Sequence, residues 1–195
     1  MTTSTDLKDQ GLPDLQGAAV LGAGTWNIDA SHSSVSFIVR HLMISKVRGS
    51  FTKVSGTVTV PENPLATVID VSIEPSSIST ADEARDTHLR SADFLDAERF
   101  GLITFRSSSV TVSHGGYRLT GDLTMRGITR SVALDVQFEG LSTDPWGTTK
   151  AGFSASGELN RKDWGIEYNA ALEAGGVLIG ERVKLELDIQ LAQGR

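Results

Sequence analysis

From Thr25 almost to its C-terminus the chain alternates apolar and polar residues with a period of two, which permits little besides antiparallel sheet with one wet face. The last segment is the cleanest, with Val183, Leu185, Leu187, Ile189 and Leu191 set against Lys184, Glu186, Asp188 and Gln190. Val132, Leu134, Val136 and Phe138 alternate with Ala133, Asp135, Gln137 and Glu139, and Val35, Phe37 and Val39 with Ser34, Ser36 and Ile38. Leu119, Leu123 and Met125 alternate in the same way with Thr120, Asp122 and Thr124. Further strands are expected over 47–60, 67–73, 101–113 and 148–159. Parity flips between Phe51 and Val54, which calls for a bulge or sharp bend there. Gly115-Gly116 marks a two-residue hairpin, and Asp144-Pro145-Trp146-Gly147 a turn. About eight long consecutive antiparallel strands remove their edges by closing on themselves. The expected fold is all-β, a single closed antiparallel barrel.

One segment breaks the alternation. Thr80-Ala81-Asp82-Glu83 reads as a capping box with Thr80 as the cap, opening a short helix near 82–92. Arg85, His88, Leu89 and Ala92 follow helical spacing on the face that should cover the barrel. Residues 1–23 are polar or Gly-rich without a sustained period and read as a flexible extension to a domain spanning 24–195. No apolar run is long enough for a membrane-spanning helix, and the N-terminus lacks the basic head and apolar stretch of a secretory signal, so a cytoplasmic protein is expected.

Composition narrows the chemistry. With no Cys there is no disulfide, thiolate metal site or cysteine nucleophile. The four His residues, at 32, 41, 88 and 114, have no short ligand spacing, so neither metal nor cofactor is expected. A net charge of −6 with scattered basic residues argues against a nucleic-acid partner. Gly22-Ala23-Gly24 lacks both the third glycine and the following helix of a dinucleotide fingerprint. What remains is a set of polar residues on apolar faces: His41 and Arg161 at strand ends, Arg85 and His88 on the helix. Two readings stand side by side. Either the arginines pair with Asp86, Asp93 or Asp163 as a structural network, or these groups mark the polar end of an apolar cavity. The cavity wall would be Phe37, Val39, Phe51, Leu123, Met125, Leu134, Val136, Phe138 and Phe153, with Gly121, Ala155 and Gly157 leaving room along the axis.

The motifs Trp26-Asn-Ile-Asp29, His32-Ser33, Val39-Arg40-His41-Leu-Met-Ile-Ser-Lys-Val-Arg48-Gly49, Ser77-Ile78-x-Thr80 and Arg85-Asp86-x-His88-Leu89 occur in that order. They are followed by Asp93-Phe94, Gly121-x-Leu123-Thr124-x-Arg126-Gly127 and Asn160-Arg161-Lys-Asp-Trp-Gly165. From about Thr25 to Leu191 this series resembles the YceI-like, polyisoprenoid-binding family. The resemblance implies a lipocalin-like barrel with a helical insertion, enclosing a long apolar ligand such as a polyisoprenoid or fatty-acid derivative. It also implies a homodimer and, for many members, a secretion signal that residues 1–23 do not show. Phe100-Gly101 stands where the family often has Tyr-Pro. The function expected is ligand binding without catalysis. The alternatives are a lipid-modifying enzyme using His41, His88 and Arg161 for proton transfer, and an interaction barrel filled by its own side chains.

Overall fold

A computed structural model describes residues 21–170 and 178–194. Among these, eleven strands form one sheet: β1 (Gly24–Ile28), β2 (Ser34–His41), β3 (Ser45–Phe51), β4 (Val54–Val60), β5 (Val68–Ile73), β6 (Ile78–Ser79), β7 (Ile103–Ser113), β8 (Gly116–Met125), β9 (Ile128–Thr143), β10 (Thr149–Asn160) and β11 (Ile179–Gln193). Six of them are halves of three broken strands. A single 3-10 turn, Ala30–His32, divides β1 from β2, Thr52-Lys53 divides β3 from β4, and the turn Pro75–Ser77 divides β5 from β6. Both halves face the same broken neighbour across the first break, Asn27 opposite Thr57 and Val35 opposite Phe51, with the register displaced at the break. Rejoined, the eleven pieces are eight long strands in consecutive antiparallel order. The last of them closes the barrel, because β11 pairs with β10 along one side and with both β2 and β1 along the other. The expected barrel and the break at Phe51–Val54 are both present.

Among the described residues the one α-helix, α1 (Glu83–Arg90), sits in the connection from β6 to β7. Its cap is Asp82, whose carboxylate accepts the Arg85 N–H at 3.0 Å, and not Thr80 as the spacing suggests. Thr80 is occupied otherwise: its N–H and hydroxyl both donate to the buried Asp86 carboxylate, at 2.8 and 2.6 Å. The helix is thereby tied to the barrel rim through its first turn. No helix among the described residues is long and apolar enough to cross a membrane.

Two apolar plugs fill the ends of the barrel. Beneath α1, Ile78, Phe94, Leu95, Ile103, Met125, Trp164 and Ile166 pack together. At the other end Leu21, Trp26, Val58, Val60, Ala151 and Leu191 do the same. The two tryptophans anchor them: Trp164 donates to Leu123 O and Trp26 to Gly22 O, each at 3.1 Å. Leu21, within the stretch read as an extension, is buried in this second plug. Residues 1–20 lie outside the described residues.

Asp29, at the break between β1 and β2, ties three strands together. Its carboxylate accepts from the Ser31 hydroxyl at 2.6 Å, Lys150 Nζ at 2.9 Å and Gln190 Nε2 at 3.2 Å. The Ser31 hydroxyl first, then Lys150 and His32, hold this carboxyl well below the usual carboxylate range. A depressed pKa in the folded state stabilises above the unfolded value of about 3.9 and fades as pH falls below it. Asp29→Asn is therefore expected to lower stability at neutral pH. In urea unfolding, the gap between the two proteins should narrow from pH about 5 to about 2; a gap independent of pH would contradict the role of the charge.

Candidate functional site

Between the two plugs lies a cavity of about 530 Å³. The inward side chains of β11 show why it exists. Val183, Leu185, Leu187 and Ile189 are only half-buried although each points into a closed barrel. A barrel filled by its own side chains would bury them fully, so the filled-core alternative does not describe this interior.

The wall follows the strand parity closely. Phe37, Val39, Phe51, Leu123, Met125, Leu134, Val136 and Phe153 all line the cavity, as do Phe105, Leu119 and Ala155. Phe138 does not. Gly152-Phe153 lies opposite Gly140 and Phe138 with Glu139 bulged out, and Phe138 packs its ring on Phe153 at 5.4 Å between centroids, one layer removed. The small residues also act differently from the sequence reading. A Cβ on Gly121 would come within 2.4 Å of the Phe105 ring edge and 2.5 Å of Arg106 O, and one on Gly157 would meet the Leu134 methyl at 2.6 Å. These glycines seat neighbouring side chains against the sheet and leave no free space above themselves. Gly121→Leu is thus expected to cost about 1–3 kcal/mol of stability through overpacking, read as a lower thermal midpoint; an unshifted midpoint would mean that the Phe105 ring and the Arg106 main chain both give way at little cost.

The polar lining gathers at the α1 end. Arg40, His41, Arg85, His88, Arg161 and Tyr168 meet the cavity there, while Thr67 and Tyr117 meet it near the opposite end. No Asp or Glu lines the cavity among the described residues. His41, Arg85, His88 and Arg161, singled out from sequence, are all brought to one end. The expected pairs with Asp86, Asp93 or Asp163 do not form around the arginines. Asp86 is taken by Thr80, and Asp93 accepts from His88 Nε2 at 2.8 Å. Arg85 donates Nε to the Thr80 hydroxyl at 2.7 Å and Nη2 to Thr80 O at 3.0 Å, with Nη1 3.9 Å from Asp82. Its side chain remains 40% exposed, so one edge of the guanidinium faces open space. His88 stacks edge-on to Phe94 and Tyr168, at 4.9 and 4.7 Å, forming an aromatic rim. Tyr168 and Arg40 escape the sequence reading because one lies beyond the alternation and the other has outward parity.

Arg161 is a different case. It is 4% exposed, and its Nε, Nη1 and Nη2 donate to the main-chain oxygens of Gly180, Ile166 and Ile179 at 3.0, 2.8 and 3.5 Å. Burial pushes its pKa down, opposed by the charge of Glu181. A buried guanidinium wrapped in carbonyls welds the start of β11 to the 161–166 segment. Gly180 O and Ile166 O would lose this donor on truncation, while Ile179 O keeps Asn169 Nδ2 at 2.7 Å, so Arg161→Gln is expected to cost about 2–4 kcal/mol. Denaturant unfolding measures this directly, and a loss below about 0.5 kcal/mol would overturn the structural assignment.

A closed eight-stranded barrel around an apolar cavity, capped by one helix, defines the class of small lipocalin-like barrels. Within that class the chain belongs to the YceI-like family, whose model matches residues 26–191. The UPF0312 protein SA2479 of Staphylococcus aureus (strain N315) is 41% identical over 169 residues, covering 86% of this chain and 96% of that protein. Among solved structures, BcnA of Burkholderia cenocepacia superposes with a TM-score of 0.72 at 19% identity, over 84% of this chain and 98% of BcnA. A polyisoprenoid-binding domain from Saccharophagus degradans, implicated in plant cell wall breakdown, superposes at 0.61 and 16% identity, over 87% of this chain and 98% of that domain.

Proposed function

We propose that this protein binds a single long-chain lipid inside its barrel, of polyisoprenoid or fatty-acid type, as a carrier, store or sensor. The observation that carries the reading is the cavity itself: about 530 Å³ lined by apolar strand faces, with its arginines gathered at one end and no carboxylate in its lining among the described residues. That volume falls in the usual range of about 300–1,000 Å³ for small-molecule sites. Each methylene moved from water into such a wall contributes about 0.8 kcal/mol, so affinity comes from length more than from specific contacts. The fold shared with a polyisoprenoid-binding domain supports the same ligand class.

A tail in the barrel places its head among Arg85, His88 and His41. A charged head needs a partner there, because an unpaired charge at an apolar mouth is costly. Arg85 presents the open edge of a planar donor, suited to a carboxylate or pyrophosphate. Arg161 supports this end through its main-chain bonds, without meeting the head.

Mass spectrometry of an organic extract of the native protein tests the ligand class. A long-chain lipid should be recovered in near-stoichiometric amount, and the same lipid should stay unaltered on incubation. Turnover would favour the enzymatic alternative instead. In titrations with saturated fatty acids, affinity should rise about fourfold per added methylene until the cavity is filled. Ala155→Phe, which projects a ring into the cavity, should weaken binding at least tenfold; an unaffected, folded variant would put the ligand elsewhere. Arg85→Gln should weaken binding of an acidic lipid by about 1.5–3 kcal/mol while leaving the matching hydrocarbon unchanged. Equal losses for both would assign Arg85 to structure alone.

A further inference from the structure

We propose that the β2–β3 hairpin is a membrane-docking tip, in which Leu42, Met43 and Ile44 enter the surface of an anionic bilayer while Arg40 and Lys46 contact its phosphates. These three consecutive apolar residues are 37, 56 and 82% exposed at the very end of the hairpin. Scattered exposed apolar residues are ordinary, but a contiguous run at a protruding tip is not. The backbone adds a second observation. Leu42 and Met43 hold φ of 51° and 60°, and the turn closes through the Ile44 N–H to His41 O at 3.2 Å. Turns with two left-handed residues favour Asn-Gly, and other residues there are strained. The chain therefore keeps apolar side chains where polar or small ones would fold more readily.

Charge selects the occupant. Between Asp29 and Glu62 there is no acidic residue, and of the basic residues there Arg48 and Lys53 pair with Glu186 and Glu74 from other strands, leaving Arg40 and Lys46 at the tip of a chain with net charge −6. Arg40 and Lys46 face each other directly across the hairpin. Both are exposed, and neither has a carboxylate partner among the described residues. Like charges directly opposite on a sheet are unfavourable, and an anion between them removes the penalty. A second copy of this tip would bring the same positive charge, whereas an anionic lipid surface satisfies both the apolar run and its basic flank.

The tip also adjoins the cavity. The Leu42 N–H donates to Leu178 O at 2.8 Å, and Leu178, His41 and Arg40 all line the cationic end. Docking would set that end against the bilayer. Loading from the membrane rests on the lipid-binding reading; docking itself does not.

The test is co-sedimentation of the full-length protein with vesicles of phosphatidylcholine alone or mixed with phosphatidylglycerol. Binding is expected to the anionic vesicles and to decline with added salt. A variant carrying Leu42→Asn, Met43→Gly and Ile44→Ser should bind at least tenfold more weakly while melting about 2–4 °C higher, because the turn strain is relieved. Lys46→Gln should lose about fivefold on anionic vesicles only. Trp146→Ser, which removes an 84% exposed aromatic at the opposite end of the barrel, should bind as the unaltered protein does. Failure of the unaltered protein to bind anionic vesicles overturns the proposal, as does equal binding by the tip variant. So does a tip variant that loses self-association in sedimentation velocity with no change on vesicles, which would make the tip a contact between copies. Uptake of a fluorescent fatty acid in vesicle-free solution should match in both proteins. Uptake absent from both, with docking intact, would defeat the lipid-binding reading and leave the docking tip standing.

Discussion

The pairing of β11 with strands on both its flanks governs everything else in this molecule. Without the bonds from β11 to β1 and β2, the sheet would be open and its apolar face would collapse onto the helix or a partner. Closure fixes the diameter by strand number and fixes which side chains point inward. Eight strands make an interior that medium side chains reach into but do not fill, and the cavity is the remainder. The Arg161 bonds to Gly180 and Ile179 hold the first residues of β11 in place, so one buried cation supports the closing strand where it enters the barrel.

Most of the architecture was legible from parity, because a one-residue period error turns every side chain of a strand to the other face. Val183, Leu185, Leu187 and Ile189 read correctly for that reason, and so did the break after Phe51. Phe138 keeps the same inward parity opposite Phe153, but it packs onto the Trp26 plug instead of the cavity wall, a position along the barrel axis that parity does not carry. The capping residue was misread because Thr80 and Asp82 both sit at plausible spacing, and the choice is made by a buried contact of Thr80 with Asp86. Sequence proximity suggested carboxylate partners for the arginines. Space supplied main-chain oxygens and a threonine instead, partners that every sequence contains and no pattern reveals.

The site divides labour between two kinds of polar group. Arg161 and Arg126 are spent on the backbone: Arg126 Nη1 donates to Phe94 O at 2.8 Å and Gly165 O at 3.1 Å, clamping the plug beneath α1. Arg85, His88 and His41 lie at the rim with side-chain edges toward the cavity. A uniform apolar barrel would hold lipids without orientation. Concentrating the cations at one end gives the interior a direction, which on the lipid-binding reading sets which end of the ligand enters last.

The three strand breaks also divide the barrel mechanically. They fall on adjacent strands, at residues 29–33, 52–53 and 74–77, and so make a seam across one wall. Along it, side chains stand in for ladder bonds, as where Ser77 Oγ accepts the Lys53 N–H at 3.1 Å and Ser33 Oγ accepts the Gln190 N–H at 3.0 Å. The facing wall, β7 to β11, carries long paired runs with isolated bulges. Local opening concentrates where main-chain ladders are interrupted. The barrel thus has one wall of continuous ladders and one wall crossed by a seam, where the backbone bonding is sparsest.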